Sequence, residues 1–280
     1  MTEFLSLFSY AFIQRALIVG TLISLCSALL GVSLVLKRYS MIGDGLSHVG
    51  FGALAVAAAL GLTPLYVAVP VVIIAAMLLL RLNSSSKLKG DSAIAIISTA
   101  ALAAGVIIVS KSGTNTDLSN YMFGSILSIS KADTVLSVIL SVIVALLFIL
   151  FYHKIFAVTF DEDFARATGT RVSLYNTLLA VLTSVTVVIG MRMMGTLLVS
   201  SLIIFPPLSA IRLCKTFRSV TVTAALLSAV CFLSGLFISY ELSFPTGATI
   251  VLTNLFVLIL SFIIKKIKDG IKRKSTSSDN

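Results

Sequence analysis

ALIVGTLISLCSALLGVSLVLKR, residues 16–38, is a continuous apolar run that stops on two adjacent cations. A helix needs about 20 mainly apolar residues to cross the hydrocarbon layer of a bilayer. Residues 16–36 supply that length without a single charge, and Lys37 and Arg38 anchor the end at the interface. The rest of the chain is built the same way. Of its 280 residues, 58% are apolar and 11% charged, and the mean hydropathy is +1.10. An ordinary soluble domain carries roughly 25% charged residues. A soluble core of this length cannot hide so much apolar surface. The composition excludes a soluble enzyme, a disordered chain and a disulfide scaffold. It leaves an all-α polytopic membrane protein, one transmembrane domain over residues 1–280, with room for roughly eight to ten spans.

Working outward from the first span, polarity divides the chain further. Residues 1–15 read as an interfacial N-terminus, with no removable signal peptide. Spans follow at 41–62, 65–80, 92–109, 134–152, 172–189, 196–211, 220–240 and 248–264, nine in all. Eight is the alternative, if 172–189 and 196–211 form one broken element. Residues 82–90 and 111–120 read as loops and 121–130 as a short interfacial or re-entrant helix. Residues 265–280 form a basic, then Ser-rich tail expected to be disordered. The net charge of +10 sits between apolar runs, so it reads as orientation bias rather than nucleic-acid binding. Strict alternation places all but Arg15, Lys111, Lys131 and Arg192 of the 21 basic residues on one side. That side is then cytoplasmic, with the N-terminus outside and the C-terminus inside.

An ionisable side chain at membrane depth costs at least ~2.5 kcal/mol, so each one needs a reason. Asp44 and His48 stand out. At i, i+4 they share one helix face, with Cβ atoms about 6 Å apart. A carboxylate and an imidazole can both ligate one divalent ion. Two ligands leave the site open, which suits an ion that must depart, and two copies of the chain could bring two such pairs together. Alternatively, Asp44 complements a helix N-terminus and His48 bonds a neighbouring helix. Gly43, Gly45, Ser47, Gly50 and Gly52 read first as close helix packing. Met191, Met193 and Met194 read as packing or a gate ahead of soft-metal ligands. Pro206 and Pro207 should kink or break their span, as an ordinary bend or a hinge. Cys26, Cys214 and Cys231 form no metal or redox pattern. His153 reads as interfacial. Residues 158–170 read as a short capped helix, acidic at its start and stopped by Gly169, either a docking knob or a connector. No catalytic motif and no phosphate-binding G-x-x-x-x-G-K-[ST] occurs, so energy for pumping would come from another subunit.

Four ordered motifs, MIGDGLSHVGFGAL (41–54), FDEDFARATG (160–169), MRMMGTLLVSSLIIFP (191–206) and PTGATIVL (245–252), resemble the membrane permeases of bacterial zinc and manganese ATP-binding-cassette importers. The resemblance runs through residues 10–265 and implies a type II-like permease in the bacterial inner or plasma membrane. It implies a homodimer, two copies of a separate ATPase, and an extracytoplasmic metal-binding protein that delivers the ion. It places the metal site at Asp44 and His48. The ATPase-coupling helix falls on Asp161, Glu162, Asp163, Phe164, Ala165, Arg166 and Gly169. No cofactor is held permanently, and Zn2+ or Mn2+ is cargo. The Ser200 to Pro206 version leans to zinc. A metal-chelate permease, an ion-driven carrier working alone and a non-transport scaffold are the rival readings.

Overall fold

A computed structural model describes residues 11–84, 90–112, 124 and 131–278. Every regular element among them is a helix. In chain order these are α1 (Ala11–Leu36), α2 (Ile42–Ala59), α3 (Pro64–Ser84), α4 (Gly90–Ser112), α5 (Lys131–Leu150), α6 (Tyr152–Phe160), α7 (Glu162–Ala167), α8 (Val172–Met194), α9 (Thr196–Leu213), α10 (Phe217–Leu242) and α11 (Thr246–Ser278). Among the described residues, 8 helices are long and apolar enough to cross a membrane, and α3 adds a shorter apolar stretch, Leu65–Leu80.

Side-chain pairs between distant loops fix how many helices cross. Lys37, after α1, pairs with Glu162 of α7 at 2.7 Å. These two residues therefore lie at one end of the bundle, and an even number of crossings separates them. The described helices between them are α2, α3, α4, α5 and α6, and α6, with 9 residues, is too short to cross. So α3 crosses, despite its short apolar stretch. Its middle lies against the middle of α8, where the Ser184 hydroxyl donates to the Val72 carbonyl at 3.4 Å. The other end gives the same parity, since Arg192 of α8 pairs with Asp133 of α5 at 3.0 Å. The Phe156 and Phe217 rings meet at 5.1 Å, which returns α10 to the Lys37 end after two more crossings. The described helices make nine crossings, and α6 and α7 form an excursion at the Lys37 end.

Several expectations change. The possible broken element is two separate helices, α8 and α9, joined at Gly195, whose φ of 89° favours a residue without Cβ. The short span is α3 instead. Residues 11–15 belong to α1, while the rest of the expected interfacial N-terminus lies outside the described residues. So do most of the 82–90 loop, 113–120, and all of 121–130 except Gly124. The basic tail is not irregular as far as it is described: α11 continues to Ser278, as a lysine-rich helix end can by intrinsic propensity. Pro206 and Pro207 do not break α9, which runs from Thr196 through both to Leu213. Pro207 cannot donate to the Ile203 carbonyl, and Gly31 of α1 lies directly against that carbonyl and the Pro207 ring.

The helices differ in how much of each is enclosed. In the apolar window of α2, 72% of residues are buried, against 22% for α5. So α2 is central, whereas α5, α10 and α11 expose Ile139, Leu146, Leu226, Val230 and Phe256 as a lipid-facing surface. One apolar cluster joins α2, α3, α4, α8 and α9 around Leu46, Val72, Met191 and Ile203. Another joins α1, α8, α9, α10 and α11 around Ile23, Met194, Leu202 and Phe232.

Candidate metal site

The site starts from a tight connection. Arg38 takes a φ of 61°, and the Tyr39 N–H donates to the Leu34 carbonyl at 2.8 Å. The Ile42 N–H then donates to the Tyr39 carbonyl at 3.0 Å and starts α2. No side chain caps this end. Asp44 lies in the first turn, where its carboxylate complements the free N–H groups and the positive end of the helix dipole.

His48 follows one turn later, its Nε2 3.6 Å from Asp44 Oδ2. That is too long for a hydrogen bond. It matches the separation of about 3–3.5 Å between adjacent donors on an ion whose bonds are about 2.1 Å long. Both side chains are partly exposed, so the pair is reachable rather than sealed. A third group comes from α9: the Ser200 hydroxyl lies 3.1 Å from Asp44 Oδ1 and 3.0 Å from the Thr196 carbonyl. Having one proton, it can donate to only one of them at a time. Among the described residues no group of three or more His, Cys, Asp and Glu side chains converges. One chain thus brings a carboxylate, an imidazole and a hydroxyl oxygen together between α2 and α9.

The opposite faces of α2 explain the small residues around the pair. Gly43 lies against Ile203, Gly45 against Ile94, Gly50 against Met191, and Gly52 against the Ala101 backbone. A Cβ on Gly52 would come within 2.6 Å of the Ala101 carbonyl oxygen. The Ser47 hydroxyl turns back to the Gly43 carbonyl at 2.9 Å. The glycines therefore serve close helix approach, and this packing holds the Asp44–His48 face in place.

The other singled-out residues lie elsewhere. Met191, Met193 and Met194 are buried, Met191 in one apolar cluster and the other two in another. Cys26 and Cys231 are buried, and Cys214 touches Thr223 at 3.3 Å. His153 is exposed and edge-on to Tyr152. The capped helix expected at 158–170 begins later, because Val158 to Phe160 belong to α6. Asp161 is extended (φ −150°, ψ 103°), and its side chain accepts from the Asp163 and Phe164 N–H groups at 3.0 and 2.9 Å. At the far end the Thr170 N–H reaches the Ala165 carbonyl and the Gly169 N–H reaches the Arg166 carbonyl. This double closure uses the left-handed conformation of Gly169 (φ 78°). Ala165 is buried against Val158 and Val172, Arg166 pairs with Asp163 at 3.1 Å, and Phe164 projects into the open.

A model of the ABC 3 transport family matches residues 9–265. The chain is 30% identical to the manganese import system permease protein ScaB of Streptococcus gordonii, over 96% of each protein. It is also 30% identical to the manganese transport system membrane protein MntC of Listeria monocytogenes, over 92% of each. Among solved structures it is similar to a chain of PsaBC from Streptococcus pneumoniae in complex with Fab, with a TM-score of 0.84 at 29% identity, covering 93% of this chain and 95% of that one.

Proposed function

The chain belongs to the ABC 3 transport family, and we propose that it is the membrane permease of an ATP-driven importer of divalent metal, with manganese as cargo ahead of zinc. It is a multi-pass membrane protein and a transport subunit rather than an enzyme. The observation that carries the metal reading is the Asp44–His48 pair with Ser200 beside it, partly open, on the most enclosed membrane helix. Ionisable groups are costly there without a task. Manganese ahead of zinc rests on the names of the two relatives, which both give manganese. The zinc lean taken from Ser200 to Pro206 finds no support in them. A carboxylate, an imidazole and a hydroxyl suit either ion, since donor type alone does not separate them.

In this reading two copies of the chain pair, so that two incomplete donor sets share one ion. The Lys37 end faces the cytoplasm, where the basic loops gather. An ATPase subunit docks on α7 of each copy, through the exposed Phe164 and the neighbouring Phe160. An extracytoplasmic metal-binding protein delivers the ion at the Asp133 end. Motion at α7 rocks the helices, and Asp44 and His48 hand the ion inward. The deciding experiment reconstitutes the chain with its ATPase in liposomes and measures ATP-dependent uptake of manganese and zinc in competition. Manganese uptake that needs ATP and disappears in His48→Ala is the expected result. Uptake without any ATPase subunit would point to a carrier acting alone, and full activity in His48→Ala would remove the site.

A further inference from the structure

Glu162 is the first residue of α7, among the residues assigned to ATPase docking, and its partly exposed carboxylate also reaches two other segments of the chain. Glu162 Oε1 accepts from Lys37 Nζ at 2.7 Å and from Asn176 Nδ2 at 3.1 Å. Lys37 Nζ also donates to Asn176 Oδ1 at 2.6 Å. The three side chains close a triangle between the turn after α1, the start of α7 and the first part of α8. Lys37 is the most enclosed member, its side chain 6% exposed. A buried ammonium depends on its partners, because removing one leaves a desolvated charge.

The position of Lys37 gives the triangle a reach beyond α7. Lys37 begins the tight turn through Arg38 and Tyr39 that starts α2, and Asp44 lies in the first turn of that helix. A cleft lies against the triangle, lined by Lys37, Asn176, Leu34, Ile42, Leu46 and Ala180. Leu46 sits on α2 between Asp44 and His48. A water-sized gap at that point leaves the base of α2 less tightly packed against α8 than a filled core would.

We propose that Lys37 is the positioning residue that carries displacement of α7 to the first turn of α2, and so to Asp44, with Glu162 as its anchor on α7 and Asn176 as its fixed point on α8. The proposal rests on the importer reading, in which α7 is where the ATPase docks. Lys37 touches neither ion nor nucleotide and acts only through other residues.

The test uses the full chain assembled with its ATPase subunit in liposomes, with ATP hydrolysis and manganese uptake measured in parallel. Lys37→Met and Asn176→Leu, both outside the docking residues, are expected to retain the ATPase and keep hydrolysing ATP. Ions moved per ATP should fall roughly tenfold, inside the range of about 5–150-fold typical of coupling between two sites. The exchange Lys37→Glu with Glu162→Lys should recover part of that ratio. Asn176→Leu preserves size and leaves the Lys37–Glu162 ion pair in place while removing the fixed point on α8, so it carries the test if Lys37→Met fails to assemble. An unchanged ratio in the assembled variants overturns the joint. So does an equal loss of hydrolysis and uptake, which marks a merely structural tie. A wild-type chain that binds no ATPase overturns the importer reading and the joint with it, whereas intact assembly with unchanged coupling overturns the joint alone.

Discussion

Asp44 and His48 are legible in the sequence for a physical reason. A charge inside an apolar run is conspicuous, and a spacing of four places both groups on one helix face. Ser200 is not legible in that way. It meets Asp44 across 156 positions of sequence, and serines are scattered through nearly every span, so nothing local singles it out. The signal available was its place one turn beyond Gly195, where α9 begins. Because it fixes the orientation of a carboxylate without being a strong ligand, Ser200→Ala should weaken manganese binding by about tenfold, the low end for removal of a group that supports a ligand. Asp44→Asn removes a charge from the site and should cost more. Isothermal titration of the purified chain with manganese tests the order, and equal affinities for wild type and Ser200→Ala would show that the hydroxyl has no part in orientation.

At the scale of elements, α7 was legible because its acids, its Arg and its Gly sit where helix ends need them. Its start was misplaced because α6 runs into it with only Asp161 extended between them. Which way Glu162 points was not legible, since Lys37 and Asn176 come from distant segments. Burial alone would raise the Glu162 carboxyl, but hydrogen bonds from Lys37 and Asn176 and the charges of Lys37 and Arg166 outweigh it and hold it below the ordinary glutamate range. A carboxyl depressed in the folded state contributes stability above its unfolded pKa, and loses it as pH falls through the folded pKa. The advantage of wild type over Glu162→Gln should therefore be constant from neutral pH down to about 4.3, the free glutamate value, and disappear below it. Thermal unfolding of the two proteins across pH checks this, and an advantage that grows on acidification would contradict it. The α2–α4 contact yields a second prediction. Gly52 faces the Ala101 backbone, and a Cβ on Gly105 would lie 2.9 Å from the Gly52 Cα. Gly52→Val should destabilise the protein by roughly 1–3 kcal/mol, the usual cost of overpacking, measurable as a lower unfolding temperature in detergent.

For the molecule as a whole, composition alone was enough to read a bundle of membrane helices, because 58% apolar residues leave no other home for the chain. The count needed more. The length of an apolar run does not say whether a short one crosses, and it is the Lys37–Glu162 pair that settles that α3 does. Nine crossings put Asp163 and Ser243 at opposite ends. In a background without native cysteines, Ser243→Cys should react with a membrane-impermeant maleimide on intact cells, and Asp163→Cys only after permeabilisation. Reaction of both from outside would refute the parity, and the reverse pattern would invert the orientation.

The marginal character of α2 bears on how the newly made chain enters the bilayer. Of the eight full-length spans, α2 has the lowest mean hydropathy, 1.3, and it carries Asp44 and His48. Its successor α3 has the short apolar stretch and an internal proline, Pro70. α2 partitions into lipid less readily than α1 before it, which has a mean hydropathy of 2.3, whereas α3 is as apolar as α1. The connection over residues 60–63 is short enough for the two to enter as a helical hairpin, α3 shielding the polar face of α2. A nascent chain cut at residue 62 should leave α2 only partly integrated, and one extended to residue 84 should hold it, as carbonate extraction of the two truncations would reveal. The helix that carries Asp44 and His48 is then also the place where biogenesis of the chain is most exposed to failure.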